Sequence, residues 1–287
     1  QPRSRGLGDV YKRQVLHSNS NPTDALNSER FRFLANGHVV PGYFAPNPNF
    51  PDRLLVMLNG AVQREKGRDP REVFQRRSWI NEFNANVLIL ADATLTPANN
   101  LRIGWSQGNG TSSLQNAMAQ CVELISSALG VSDSSMLFFG SSAGGFQALA
   151  LHAYFRRSRF LVNNAQFDWT KYHASAVEDA LRRSFGSMSI QDVRRKFPER
   201  CNVFNRFLDD RIGISGTYLL NVASREDYKT QFPVLLEFLS QRAAKQPNVS
   251  MNVNVEYYAD PRAGHMPRSR PFTVQRVNRM LSEMETN

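Results

Sequence analysis

Between Phe138-Phe139 and Phe146 the chain reads Gly140-Ser141-Ser142-Ala143-Gly144-Gly145, which contains Gly-x-Ser-x-Gly. A serine at a sharp strand-to-helix turn has its oxygen exposed, and bulky neighbours would collide with the strand and the helix. Ser142 is therefore the candidate nucleophile, ahead of Ser141, whose position before the turn points it elsewhere. A serine hydroxyl attacks only when a base takes its proton, and that base is usually histidine. The chain has five histidines. His17 lies near an unusual N-terminal stretch, and His38 precedes the serine in an early strand. His152 sits too far down the helix after the serine to reach back, and His173 opens a polar segment. His265 lies in Pro261-Arg262-Ala263-Gly264-His265-Met266-Pro267. This loop follows the last strand-like run, at the carboxyl edge where open α/β sheets gather their ligands. His265 is the candidate base.

A third group must hold the imidazole and stabilise its charged form. Asp168, Glu226, Asp227 and Asp260 all follow strand-like runs between Ser142 and His265. Asp227 is the first choice, past the penultimate strand and beside the strand that delivers His265. Glu226 and Asp168 remain alternatives. Serine attack on a carbonyl also needs N–H donors for the developing oxyanion. One should be Ala143. The other should come from Leu58-Asn59-Gly60-Ala61-Val62, with Ala61 ahead of Val62. Asn59 is a candidate substrate contact. So is Trp105, in the Gly-rich stretch Ile103-Gly104-Trp105-Ser106-Gln107-Gly108-Asn109-Gly110. No Lys-Ser or Lys-Thr follows those glycines, so they do not form a phosphate-binding loop.

These residues need a sheet to bring them together, and the pattern supplies one. Continuous apolar runs at Leu54–Leu58, Val87–Leu90, Met136–Phe139, Phe160–Val162 and Tyr218–Leu220 read as strands buried on both faces. Val249–Tyr257 alternates apolar with polar residues, as an edge strand does. An earlier pair is expected around Phe31–Leu34 and His38–Phe44. Apolar spacing of three and four over Ser112–Leu129, ending at Gly130, marks a helix, and similar stripes follow Phe146, Phe232 and Val274. Such alternation implies a doubly wound α/β sheet. Residues 172–213 are polar, helical and too long for a simple crossover, and are expected to form a cap.

The 287 residues are 41% hydrophobic and carry a net charge of +10. No apolar run reaches the ~18 residues that span a bilayer. The basic residues fall in short clusters such as Arg71, Arg76, Arg77 and Arg194, Arg195, Lys196. They read first as solvated helix faces and second as a preference for anionic substrates. No nucleic-acid signature accompanies them. Cys121 and Cys201 lie at no metal-ligand spacing, so no metal site is expected, and the lack of a disulfide framework fits a reducing compartment. Residues 1–14 are basic without an apolar core and resemble translated adapter sequence. Residues 1–20 are expected to be a disordered or artefactual tail, and 21–287 a single domain. With no signal peptide in the chain as given, a cytoplasmic location is favoured.

From Leu54 onward the chain resembles the α/β-hydrolase superfamily, on Gly140-Ser141-Ser142-Ala143-Gly144, an acid after the penultimate strand and a terminal histidine. The resemblance implies an eight-stranded, mostly parallel sheet flanked by helices, a helical cap insertion at about 172–213, and no metal or organic cofactor. It departs at Asn59-Gly60, where many members have His-Gly. A looser similarity runs to hydrolase-like proteins of bacterial glycan and accessory-secretion systems, some of which transfer acetyl groups to sugars. The expected activity is carboxylic ester hydrolysis through an acyl-enzyme on Ser142, acting on a small-molecule or glycan ester. Acyl transfer to a glycan hydroxyl and a non-catalytic binding role are the alternatives.

Overall fold

The computed structural model describes residues 14–27, 29–110 and 112–284. In chain order the elements are β1 (Gln14–His17), α1 (Pro22–Leu26), β2 (Arg30–Ala35), β3 (His38–Ala45), β4 (Leu54–Leu58) and β5 (Asn86–Leu90). Next come α2 (Leu114–Leu129), β6 (Met136–Ser141), α3 (Ala143–His152) and β7 (Arg159–Asn163). Four helices follow before the next strand: α4 (Ala174–Phe185), α5 (Ile190–Lys196), α6 (Pro198–Cys201) and α7 (Phe204–Asp209). The chain then forms β8 (Ile214–Asn221), α8 (Phe232–Lys245), β9 (Met251–Tyr258) and α9 (Arg270–Ser282).

The strands make one sheet in the order β1-β2-β3-β5-β4-β6-β7-β8-β9. Only the β2–β3 and β3–β5 pairs are antiparallel. The fold class expected from the sequence is therefore present, with nine strands where eight were expected. The additional strand is β1, which pairs in parallel with β2 and buries Leu16. The segment set apart as a tail thus enters the sheet at Gln14, and residues 1–13 lie outside the described residues. Among the described residues no helix is long and apolar enough to cross a membrane, and no cluster of three or more His, Cys, Asp or Glu could hold a metal ion.

The period of two along each strand divides the core. Leu54, Val56, Leu58, Leu88, Leu90 and Phe138 face α2, α3 and α8. Leu55, Met57, Val87, Ile89, Leu137 and Phe139 face α9. Full burial of one such side chain contributes ~1.5–3 kcal/mol, which is why the central strands carry apolar residues on both faces. Helix α2 is capped by the Ser113 side chain at its start and ends at Gly130, whose φ of 67° suits a residue without a Cβ.

The insertion between β7 and β8 has two parts. Its far end packs on the flank, with Phe204 stacked on Phe238 of α8 at 4.3 Å. Its near end, Tyr172, His173 and α4, faces the loop at 100–103 across a cleft of about 420 Å³. Only this near end behaves as the expected cap.

Candidate active site

The turn at Ser142 is shaped by what its glycines exclude. A Cβ on Gly140 would lie 2.1 Å from the Gly144 carbonyl oxygen, one on Gly144 would lie 2.6 Å from Leu58 O, and one on Gly145 would lie 2.5 Å from the Cβ of Ala165. Strand, helix and neighbouring loop can approach this closely only without side chains there. Ser142 itself sits at φ 56°, ψ −127°, outside the regions open to ordinary residues. Such strain costs ~1–3 kcal/mol and persists only where the surroundings enforce it.

Three side chains distant in sequence meet at this turn. The Ser142 hydroxyl lies 2.8 Å from His265 Nε2, and His265 Nδ1 lies 2.8 and 2.9 Å from the two carboxylate oxygens of Asp227. An ionised carboxylate only accepts, so Nδ1–H donates to it, and Nε2 is left to accept from the serine. Asp227 is buried, and Ser224 Oγ donates to its Oδ2 at 2.5 Å. Asp227 opens a single π-helical turn, Asp227–Gln231, that leads into α8.

The other acids weighed from sequence are engaged elsewhere. Asp168 pairs with Arg194 at 3.0 Å and accepts from Thr170 N. Glu226 pairs with His173 at 3.1 Å. Asp260 accepts from the N–H groups of Arg262 and Ala263 within its own turn. Of the other histidines, His152 is buried against Ser158 and Ser215, and His38 contacts Ser112.

Two amides fasten the His265 loop. Asn221 Nδ2, at the end of β8, donates to the carbonyls of Asp260 and Gly264, each at 2.8 Å. Asn164 Nδ2, just past β7, donates to His265 O at 3.1 Å. Asn164 Oδ1 in turn accepts from Asn221 N at 2.9 Å.

The loop after β4 is held from the side by Gln75. Its Oε1 accepts from Gly60 N at 2.8 Å and its Nε2 donates to Ala61 O at 2.8 Å. Val62 N donates to Arg102 O at 2.7 Å. Within this loop Gly60 and Val62 have thus committed their N–H groups, while those of Ala61 and Ala143 have no acceptor among the described residues. A Cβ on Gly60 would lie 3.9 Å from the Ser142 Cβ, so the loop borders the serine.

Asn59 and Trp105, expected to contact substrate, do not reach the cleft. Both are fully buried. The Asn59 side chain donates to Val73 O at 2.5 Å and accepts from Gln75 N at 3.0 Å, which braces the loop from beneath. Trp105 donates to Gln166 Oε1 at 2.5 Å and stacks on Trp169 at 5.4 Å. The Gly-rich stretch around it is clamped by Arg200, which donates to Gln107 O and lies over the rings of Phe185 and Phe197. This stretch anchors the insertion. The aromatic that does line the cleft is Tyr172, which meets Trp105 edge-on at 5.8 Å and has its ring 6.3 Å from that of His265. Burial raises its phenol above the usual range.

No family model matches the chain, and no curated protein matches it either. Solved structures do match. A capsule O-acetyltransferase of Neisseria meningitidis serogroup A is 11% identical with a TM-score of 0.61, over 88% of this chain and 94% of that one. Acetyl xylan esterase 1 from Thermoanaerobacterium sp. JW/SL YS485 is 13% identical with a TM-score of 0.60, over 88% and 82%. A chain of the glycosylation-associated protein complex of Streptococcus agalactiae is 12% identical with a TM-score of 0.62, over 88% and 46%. The likeness is one of architecture: the chain has the α/β-hydrolase fold.

Proposed function

We propose that this protein hydrolyses a carboxylic ester, with Ser142 as nucleophile, His265 as general base and Asp227 orienting the imidazole. The observation that carries the reading is the unbroken hydrogen-bond line from Asp227 through His265 to Ser142, with 2.8 Å on each side of the ring.

In this reading Ser142 Oγ attacks the ester carbonyl while its proton passes to His265 Nε2. The imidazolium is stabilised by the buried Asp227 carboxylate. The N–H groups of Ala143 and Ala61 receive the oxyanion, and one such donor is worth ~10²–10³ in rate. Collapse of the intermediate breaks the bond to the alcohol, which leaves with the proton from His265. Water then attacks the acyl-enzyme, giving its proton to His265, and the acid departs as Ser142 recovers its hydrogen. The cleft between Tyr172 and Arg102 would receive one side of the ester.

Acyl transfer is the second reading, favoured by the shared architecture with a capsule O-acetyltransferase over 94% of that chain. A sugar hydroxyl would replace water in the second half-reaction, with the same three side chains. Its mark would be O-acetylated sugar, detected by mass spectrometry when acceptors are added.

Turnover of 4-nitrophenyl acetate and labelling by a fluorophosphonate are both expected of the wild type. Ser142→Ala should abolish labelling and lower kcat by at least ~10³-fold. Equal activity in the two proteins would refute the nucleophile. A folded wild type that never labels would point instead to a binding protein on this fold.

A further inference from the structure

The proposed chemistry leaves one nearby cation without a task. Arg76 follows Gln75, the residue that holds the oxyanion loop, and its backbone is left-handed at φ 63°. Its guanidinium lies 5.1 Å from the ring centre of Phe139 and 5.6 Å from that of Trp79. It donates to Ser141 Oγ at 2.7 Å, one residue before the nucleophile. That contact uses only part of the donor set of a guanidinium.

No carboxylate pairs with Arg76 among the described residues. Burial lowers its pKa to about 10, and no acid offsets the effect. The side chain still carries its charge at neutral pH. By contrast Arg270, whose guanidinium lies over the same Trp79 ring, pairs with Glu82.

A second unpaired cation flanks the same step of the sheet. Arg268, three positions past His265, stacks on Tyr258 at 4.8 Å and Phe272 at 4.2 Å, with no carboxylate partner among the described residues. Its backbone N–H donates to Asn163 Oδ1 at 2.8 Å, and Asn163 is the strand partner of Ser141. Phe139, Trp79 and Phe272 all belong to the α9 side of the sheet. The cleft between Tyr172 and Arg102 is built from the other side, so the two regions lie on opposite flanks of the nucleophile.

We propose that Arg76, at the Ser141–Asn163 step, binds an oxyanion carried by the substrate, with Arg268, whose backbone is tied to Asn163, as a second cation on that side. Preferred esters then bear a carboxylate or phosphate on the portion that lies toward α9. This rests on the hydrolase reading and names its substrate class. A guanidinium pairs bidentately with either group, and the net charge of +10 draws such substrates in.

The test compares acetate esters of glucose, glucuronate and glucose 6-phosphate. Wild type should show kcat/KM at least ~10-fold higher for one or both charged sugars than for glucose. Which one rises identifies the group. Added salt should shrink the preference. Arg76→Gln should bring the ratio close to one, whatever it does to the absolute rates, and Arg76→Lys should keep part of it. Equal kcat/KM for all three esters in wild type, or an unchanged ratio in Arg76→Gln, would overturn the assignment.

Calorimetry on Ser142→Ala with the same sugars separates the two proposals. Tighter binding of a charged sugar without turnover by wild type supports the anion site and removes the hydrolase. Turnover with no charge preference does the reverse.

Discussion

Asp227 is a carboxylate with 1% of its surface exposed, and a charge so enclosed depends on every hydrogen bond it accepts. It receives His265 Nδ1–H on both oxygens and Ser224 Oγ–H on one. Asp227→Asn keeps the shape but offers an amide to Nδ1, which favours the wrong tautomer. It should lower kcat on 4-nitrophenyl acetate by ~10³–10⁴-fold. Ser224→Ala removes one charge-assisted bond and should cost ~10-fold. Losses in the opposite order would mean that Asp227 does not orient the base. The candidates for these proposed roles were legible in the sequence to unequal degrees. Ser142 and His265 announce themselves because small residues at a turn and a histidine past the last strand have few other uses. Asp227 was preferred for its place past the penultimate strand, with Glu226 and Asp168 left as alternatives, since each is an acid after a strand and only the partners of each tell them apart. Trp105 and Asn59 turn inward instead of lining the cleft, and the type of residue in a loop does not say which way its side chain faces. Arg76 was visible only as one of a basic cluster with Arg71 and Arg77, because its contact with Ser141 spans 65 positions.

At the level of elements, α3 is tied to β8 through His152, which is fully buried. Ser158 Oγ donates to Phe155 O at 2.6 Å, so it accepts from His152 Nδ1–H, and Nε2 accepts from Ser215 N at 3.3 Å. Both ring nitrogens are used by the neutral form, and burial holds the pKa down at about 3 against an ordinary 6.5. Above pH 6.5 the residue is neutral whether the chain is folded or not, and its contribution is fully present. Between pH 6.5 and about 3 only the unfolded chain takes up the proton, so stability falls by ~1.4 kcal/mol per pH unit. Urea unfolding at pH 6.5 and at 4.5 should show this decline in wild type and a shallower one in His152→Gln. Identical slopes would assign the acid sensitivity to other groups. The strands and long helices were readable from apolar spacing, since a period of two or of three and four leaves a visible trace. β1 was not, because four residues behind a basic segment leave no periodicity to detect.

On the scale of the whole molecule, the insertion and the sheet share one continuous apolar core. Cys121 of α2 and Cys201 of α6 both belong to it, as do Val177, Phe185 and Phe207. Burial pushes the Cys201 thiol up to about 12 and raises that of Cys121 as well. Neither should react with Ellman's reagent at pH 8 in the native protein. In a urea titration, Cys121→Ser and Cys201→Ser variants should expose their remaining thiol at the same midpoint, as one cooperative unit does. Earlier reaction at Cys201 would show the insertion opening alone.

His265 follows β9, a border strand with a single neighbour, and borders are where a sheet breathes most readily. The carbonyls around His265 are nevertheless gripped by Asn221, at the end of β8, and Asn164, just past β7, on the two strands further in. The rim therefore works as a cable rather than a mount: it brings the imidazole to its post, while deeper masonry fixes the address. Drift along that border can be absorbed without moving the imidazole away from Ser142 and Asp227.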